Sequence, residues 1–188
     1  RGRFNVENVL GAIAAGILLD IDEEEIAAGV AALQGVPGRF EAVDEGQPFA
    51  VVVDYSHKPD ALDNVLRTAR DLAEGRVIVV FGAGGDRDRQ KRPLMGRVAR
   101  DLADIVIVTS DNPRSEDPLA IIQDVLQGTG TDVEIDADRR SAIGRAVELA
   151  EPGDVVVIAG KGHEQGQEVA GEKLPFDDRV VAREALRA

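Results

Sequence analysis

Apolar residues recur along this chain in two different rhythms, and the change between them divides it. Val6, Val9, Leu10, Ile13, Ile17 and Leu18 return every three or four positions, as do Ile26, Val30 and Leu33, which is the spacing of one face of a helix. The spacing predicts helices over 5–19 and 22–33. Asp22 suits the N-cap of the second, and Glu23, Glu24 and Glu25 place carboxylates in its first turn, where the helix dipole favours them. Gly35-Val36-Pro37-Gly38 then breaks the pattern, and a domain boundary is expected there.

Past that break the apolar positions gather into short continuous runs separated by helical stretches. Strands are predicted over 39–43, 49–54, 76–81, 105–109, 132–136 and 154–159. Helices are predicted over 59–73, 93–103, 118–126, 138–150 and 177–187, with Pro59, Pro93 and Pro118 as first-turn residues. Three of the strands hold unbroken β-branched runs, as in Val51-Val52-Val53. Such runs imply burial on both faces, and so a mainly parallel sheet between helices. The expected fold class is α/β, a doubly wound, Rossmann-like domain over residues 38–188.

Ligands of such a sheet bind beyond the C-terminal ends of its strands. Four strand-to-helix loops there carry functional side chains: Asp54 to Lys58, Gly82 to Arg92, Ser110 to Pro118 and Gly160 to Glu164. Charge sharpens this picture. A net charge of −13 argues against nucleic acid, whose phosphates require clustered cations. Against that acidic background Arg87, Arg89, Lys91 and Arg92 stand together, which suits a small anionic ligand. A solvated loop in which they pair with Asp86 and Asp88 fits equally well. No apolar run approaches the ~20 residues that cross a bilayer, so no membrane association is expected. With no cysteine, disulfides and thiolate chemistry are excluded, in keeping with the cytoplasm.

Gly82-Ala83-Gly84-Gly85 follows a strand but lacks the third glycine of a dinucleotide fingerprint, and no G-x-x-x-x-G-K-[ST] occurs in the chain. The glycines permit a tight turn and allow a ligand to approach the backbone. Asp111-Asn112-Pro113-Arg114 combines an anion, an amide, a rigid turn and a guanidinium. Arg114 can grip a carboxylate through two parallel hydrogen bonds, and Asp111 and Asn112 offer acceptors to an ammonium. The set complements a zwitterionic amino-acid head. A plain turn with Arg114 bridged to Glu116 or Asp117 is the competing reading. In Gly160-Lys161-Gly162-His163-Glu164, Glu164 supplies a second anion and the glycine carbonyls a further acceptor. Neither His57 nor His163 has a nucleophile beside it, and no grouping has metal-ligand spacing, so no metal site is assigned.

Taken in order, these segments resemble the Mur ligase family, in particular its diaminopimelate-adding members. The stretches that carry the resemblance are Phe4-Asn5-Val6-Glu7-Asn8, Gly38-Arg39-Phe40-Glu41, Asp54 to Asp60, Phe81 to Asp88, Lys91-Arg92-Pro93, Asp111 to Arg114 and Ala159 to Glu164. The resemblance implies that residues 1–36 are the helical end of a central P-loop ATPase domain lying mostly upstream. Residues 38–188 would then be the amino-acid-binding domain. It implies ATP and Mg2+ as cofactors, held mostly upstream, with UDP-N-acetylmuramoyl-dipeptide and meso-diaminopimelate as partners and a monomeric complete enzyme. Asn8, Arg39 and Asp54 match nucleotide-binding positions, and His57 and Lys91 lie in motifs near the reacting phosphate. Arg87, Asp111, Asn112, Pro113, Arg114, Gly160 and Glu164 match the amino-acid site.

The choice of amino acid also has a physical argument. Diaminopimelate carries a carboxylate and an ammonium at its far end, where lysine has the ammonium alone. Arg87 and Arg114 can pair that carboxylate, and leaving them unpaired around lysine costs ~1–3 kcal/mol or more. A lysine-adding relative, a nicotinamide- or nucleotide-binding module and an anion-sensing domain are the alternatives.

Overall fold

The computed structural model describes residues 3–33 and 35–188, with side chains of the first helix from Val6 onward. The side chains of Phe4 and Asn5, quoted for the resemblance, lie outside the described residues. The chain divides into two compact units, Arg1–Val36 and Pro37–Ala188. The first holds α1 (Arg3–Leu18) and α2 (Glu23–Ala32). The Asp22 side chain accepts from the Glu24 amide and so caps α2. Leu10, Ile17 and Leu18 stay exposed and α2 buries no residue, so this pair of helices encloses little core.

The second unit is built on a six-stranded sheet in the order β1-β2-β6-β3-β4-β5. Its strands are β1 (Glu41–Ala42), β2 (Ala50–Asp54), β3 (Val77–Phe81), β4 (Ile105–Val108), β5 (Glu134–Ile135) and β6 (Val155–Ala159). Only β1 runs antiparallel to its neighbour. The β-branched runs fill both faces, as their composition predicts. Val52, Val77, Val79, Phe81, Val155 and Val157 pack towards α3 (Pro59–Leu72), α4 (Lys91–Leu102) and α5 (Pro118–Thr129). Val51, Val53, Ile78, Val80, Val156 and Ile158 pack towards α6 (Arg139–Leu149) and α7 (Asp178–Leu186). Full burial of each such side chain contributes about 1.5–3 kcal/mol, so these strands anchor the unit. Because β2 to β6 are parallel, the loops that follow them all open on one edge.

Several boundaries differ from the sequence pattern. The strand predicted over 39–43 shrinks to two residues because Gly38 and Phe40 take positive φ values of 70° and 47°. That turn is held by the Phe40 amide donating to Asp54 Oδ2 at 2.8 Å. The strand predicted over 132–136 likewise keeps only Glu134 and Ile135, at the sheet edge. Helix α4 opens at Lys91, so Pro93 is its third residue, where a missing N–H still forfeits no helical bond. A hairpin of β7 (Gly166–Val169) and β8 (Glu172–Pro175) was not foreseen. Ala170 and Gly171 turn it with φ of 51° and 80°, the paired positive values that suit the twist of a two-residue hairpin loop.

Candidate functional site

The loops after β2, β3, β4 and β6 meet at the common strand edge. Gly85 shows how closely: a Cβ there would stand 1.9 Å from the Pro113 carbonyl oxygen. The glycines after β3 therefore admit another loop of the chain itself, where the sequence suggested a ligand. Through this approach Arg114 Nη1 donates to Gly85 O at 2.7 Å.

Arg114 adopts a left-handed backbone, with φ of 54°, a conformation that L residues hold only when their surroundings impose it. The unforeseen hairpin imposes it here. Arg114 N–H donates to Glu168 O at 2.9 Å, and Ala170 N–H donates to Arg114 O at 2.7 Å. The Arg114 side chain lies 3.4 Å from the Glu168 carboxylate. The bridge to Glu116 or Asp117 offered by the plain-turn reading does not form, because Glu116 is taken by Arg92. Arg114, Asn112, His163, Glu164, Glu168 and Lys173 line a cleft of about 520 Å³. Its lining combines cations and carboxylates, which is the complement of a zwitterion.

Behind the cleft the acceptors expected to face an ammonium are partly occupied. Lys161 is fully buried, and its Nζ donates to Asn112 Oδ1 at 2.9 Å. The same oxygen accepts the Glu168 amide at 3.0 Å, while Asn112 Nδ2 donates to Glu164 Oε2 at 2.9 Å. Asn112 thus orients Glu164 and presents no open acceptor, a correction to its expected part. Asp111 is buried, and its Oδ1 has no hydrogen-bond partner. Burial pushes its carboxyl up, opposed by Arg139 and Lys161. Pro113 and Gly160 are buried as well, and the Gly160 amide donates to Asp54 O at 3.0 Å.

The remaining predicted residues fall into two groups. Asp54 is buried and accepts from Ser56 Oγ and the Phe40 amide, so its carboxylate fixes the turn that carries Arg39. Arg39 is exposed, with its guanidinium 4.8 Å above the Tyr55 ring. His57 Nδ1 faces Tyr55 O at 2.8 Å, and Lys91 Nζ donates to His57 O at 2.9 Å, so these two do come together. A carbonyl can only accept, so Nδ1 carries the His57 proton. Burial lowers the Lys91 ammonium pKa. Asn8 lies exposed on α1, in the other unit.

The basic loop divides. Arg87 is exposed and donates to its neighbour's carbonyl, Asp86 O, at 2.9 Å. Arg89 pairs with Asp124, not with Asp86 or Asp88. Arg92 is fully buried, forked onto Glu116 at 2.7 and 2.9 Å and also bonded to Asp124. Its hydrogen bonds, and then the Asp86 amide, hold the Glu116 carboxyl at about 2 against an ordinary 4.5. With the folded value below the unfolded one, the stability this carboxylate contributes is present above pH 4.5 and lost as pH falls towards 2. Unfolding followed by circular dichroism should therefore steepen across that window in the wild type and less in Glu116→Gln. Equal slopes would refute the assignment.

Sequence reading missed Lys161 as a structural centre, although it lies within a quoted motif, because nothing marks a lysine for complete burial. It also missed the hairpin, whose Ala170-Gly171 loop was the available signal.

Comparison with known proteins identifies the family. The model of the Mur ligase, glutamate ligase domain matches residues 38–162. A UDP-N-acetylmuramoyl-L-alanyl-D-glutamate--2,6-diaminopimelate ligase from Solibacter usitatus is 55% identical over 99% of the chain, which spans 38% of that relative's length. A solved structure of a ligase with that same name aligns with TM-score 0.77 and 46% identity, covering 99% of this chain and 39% of that one. Folylpolyglutamate synthase of Mycobacterium tuberculosis, solved with ADP and AMPPCP, aligns over 74% of this chain and 33% of its own, with TM-score 0.61 and 25% identity. With one domain model covering most of the α/β unit and a relative sharing over half its residues end to end, the chain belongs to the Mur ligase family.

Proposed function

We propose that this chain is the amino-acid-selecting part of an ATP-dependent ligase. The ligase would join meso-2,6-diaminopimelate to the terminal carboxylate of UDP-N-acetylmuramoyl-L-alanyl-D-glutamate. The observation that carries the reading is that Arg114 and Glu164 line one cleft, each held by a different loop. A guanidinium and a carboxylate so placed suit the carboxylate and ammonium at one end of a diamino diacid. The names of relatives sharing over half of these residues support the same substrate.

In the reaction, the dipeptide's terminal carboxylate would take the γ-phosphoryl group of ATP with release of ADP. The neutral amine of the amino acid would attack the acyl phosphate carbon, and phosphate would leave with its bonding pair as the nitrogen gives up a proton to solvent. A positioned amine gains the advantage of an intramolecular reaction, and supplying that position is this chain's share. Arg39, aimed outward above Tyr55, suits contact with a nucleotide held by another domain, with Asp54 fixing the turn behind it. His57 and Lys91 join the same edge through their mutual contact. Among the described residues no group of three or more His, Asp or Glu could hold a metal ion. The exposed Leu10, Ile17 and Leu18 of α1 suit helices completed by a larger ATPase domain. Among the described residues no helix is long and apolar enough to cross a membrane, and the nucleotide substrates point to the cytoplasm.

The test is ADP release by a full ligase carrying this chain, supplied with ATP, Mg2+ and the UDP-linked dipeptide. Meso-diaminopimelate should support turnover. L-lysine should fall at least about 100-fold in kcat/KM, since a site built around a carboxylate leaves its guanidinium unpaired. Comparable use of lysine would overturn the substrate assignment.

A further inference from the structure

Lys161 is a buried cation behind the cleft to which the proposed reaction gives no part. Its Nζ stands 2.9 Å from Asn112 Oδ1, 3.4 Å from Glu164 Oε2 and 3.6 Å from Asp111 Oδ1. It is wholly buried, whereas Asn112 and Glu164 reach the cleft surface. Its ammonium therefore lies behind these groups and does not compete with a ligand for the space in front.

Two consequences follow from that placement. An amide side chain can present either its oxygen or its nitrogen in one direction. With Lys161 and the Glu168 amide both donating to Oδ1, Asn112 must turn Nδ2 towards Glu164. The second consequence concerns charge. Asp111 and Glu164 bring two negative charges to one small region, and like charges at close range disfavour each other's ionisation. Lys161 cancels one of the two. What remains of these three groups is a single net negative charge, matched to a single ammonium, while Arg114 and Glu168 of the same cleft stand beside each other.

We propose that Lys161 is a positioning residue, a buried counter-ion that fixes the Asn112 amide and offsets the charge of Asp111, so that Glu164 faces the ammonium of the incoming amino acid. The ammonium partner rests on the function proposed above, whereas the internal arrangement does not. Other charged groups facing the cluster are Arg139 and Asp178 from α6 and α7, Tyr55 from the loop after β2, and Lys91 from α4. All remain in place in a Lys161 variant.

The experiment compares this chain with Lys161→Met by NMR and calorimetry. Without ligand, the carbon-detected titration of the Asp111 carboxyl should move upward by about one pH unit or more in Lys161→Met. An unchanged midpoint overturns the proposal. Should Lys161→Met fail to fold, the wild type decides. Its Lys161 ammonium protons should exchange slowly and show contacts to the Asn112 amide, and fast exchange without those contacts overturns the proposal. With meso-diaminopimelate, Lys161→Met should bind about tenfold more weakly or worse, as expected for losing a charge-assisted hydrogen-bond network. In the wild type the Lys161 ammonium protons should stay protected on binding. Equal affinity in the two proteins also overturns it. A wild type that binds no diaminopimelate sinks the functional reading instead, and the Asp111 titration still decides the part played by Lys161.

Discussion

Replacing Arg114 with alanine in a ligase that carries this chain should lower kcat/KM for meso-diaminopimelate by about two to three orders of magnitude, the usual consequence of truncating one partner of a desolvated charge pair. The expectation comes from how completely the guanidinium is prepared. Its backbone is fixed in a left-handed conformation by two hydrogen bonds from the hairpin, and Nη1 is fixed on Gly85 O. A fork held in this way loses little side-chain freedom when it meets a carboxylate. Arg114→Lys should recover only part of the loss, since an ammonium cannot reproduce two parallel hydrogen bonds. Residual activity with L-lysine should change little, because lysine has no second carboxylate to lose. The measurement is steady-state ADP release with both amino acids. A uniform drop for both would mean that Arg114 supports the loop and does not read the carboxylate.

Much of this site follows from patterns visible along the chain. The β-branched runs required a sheet buried on both faces, and a parallel sheet required its loops to share an edge. That alone brings Asp54, Gly82, Asp111 and Gly160 together, because each stands at or just after the end of a strand. Details set by non-local polar contacts were not legible. Helical and strand periodicity say nothing of Lys161, whose burial depends on Asn112 and Asp111 from a loop distant in sequence as well as on Glu164 from its own loop. Apart from the buried Gly166, the hairpin carries half-exposed and exposed residues and so leaves no hydrophobic signal, yet it determines the Arg114 backbone. The basic segment 87–92 looked like one feature and is two. Arg92 is an internal strut between loops, while Arg87 remains in solvent. Charge density in sequence cannot separate these cases, since the distinction rests on whether Glu116 and Asp124 arrive from α5 and the loop before it.

The largest loss of stability should come from Arg139, which the chemistry of the cleft does not use directly. Its side chain and that of Asp178 are both 0% exposed, and they pair at 2.7 and 2.8 Å. The remaining guanidinium donors reach Ser110 O at 3.2 Å and Ala159 O at 3.1 Å. One arginine thus joins α7 to the ends of β4 and β6, immediately before Asp111 and Gly160. Removing it strands a buried carboxylate and two carbonyls together. Arg139→Met should therefore cost about 3–5 kcal/mol, the range for breaking one side of a buried pair. For a unit of this size each kcal/mol lowers the melting temperature by about 2–4 °C, so a fall on the order of 10 °C is expected in thermal unfolding. Arg139→Met combined with Asp178→Leu should be distinctly more stable than Arg139→Met alone, because the orphaned charge is gone while the carbonyls stay unpaired. If the double variant is no better, the loss lies in the carbonyl contacts and not in the ion pair. The arginine would then act mainly as a clasp on the two strand ends that hold the cleft.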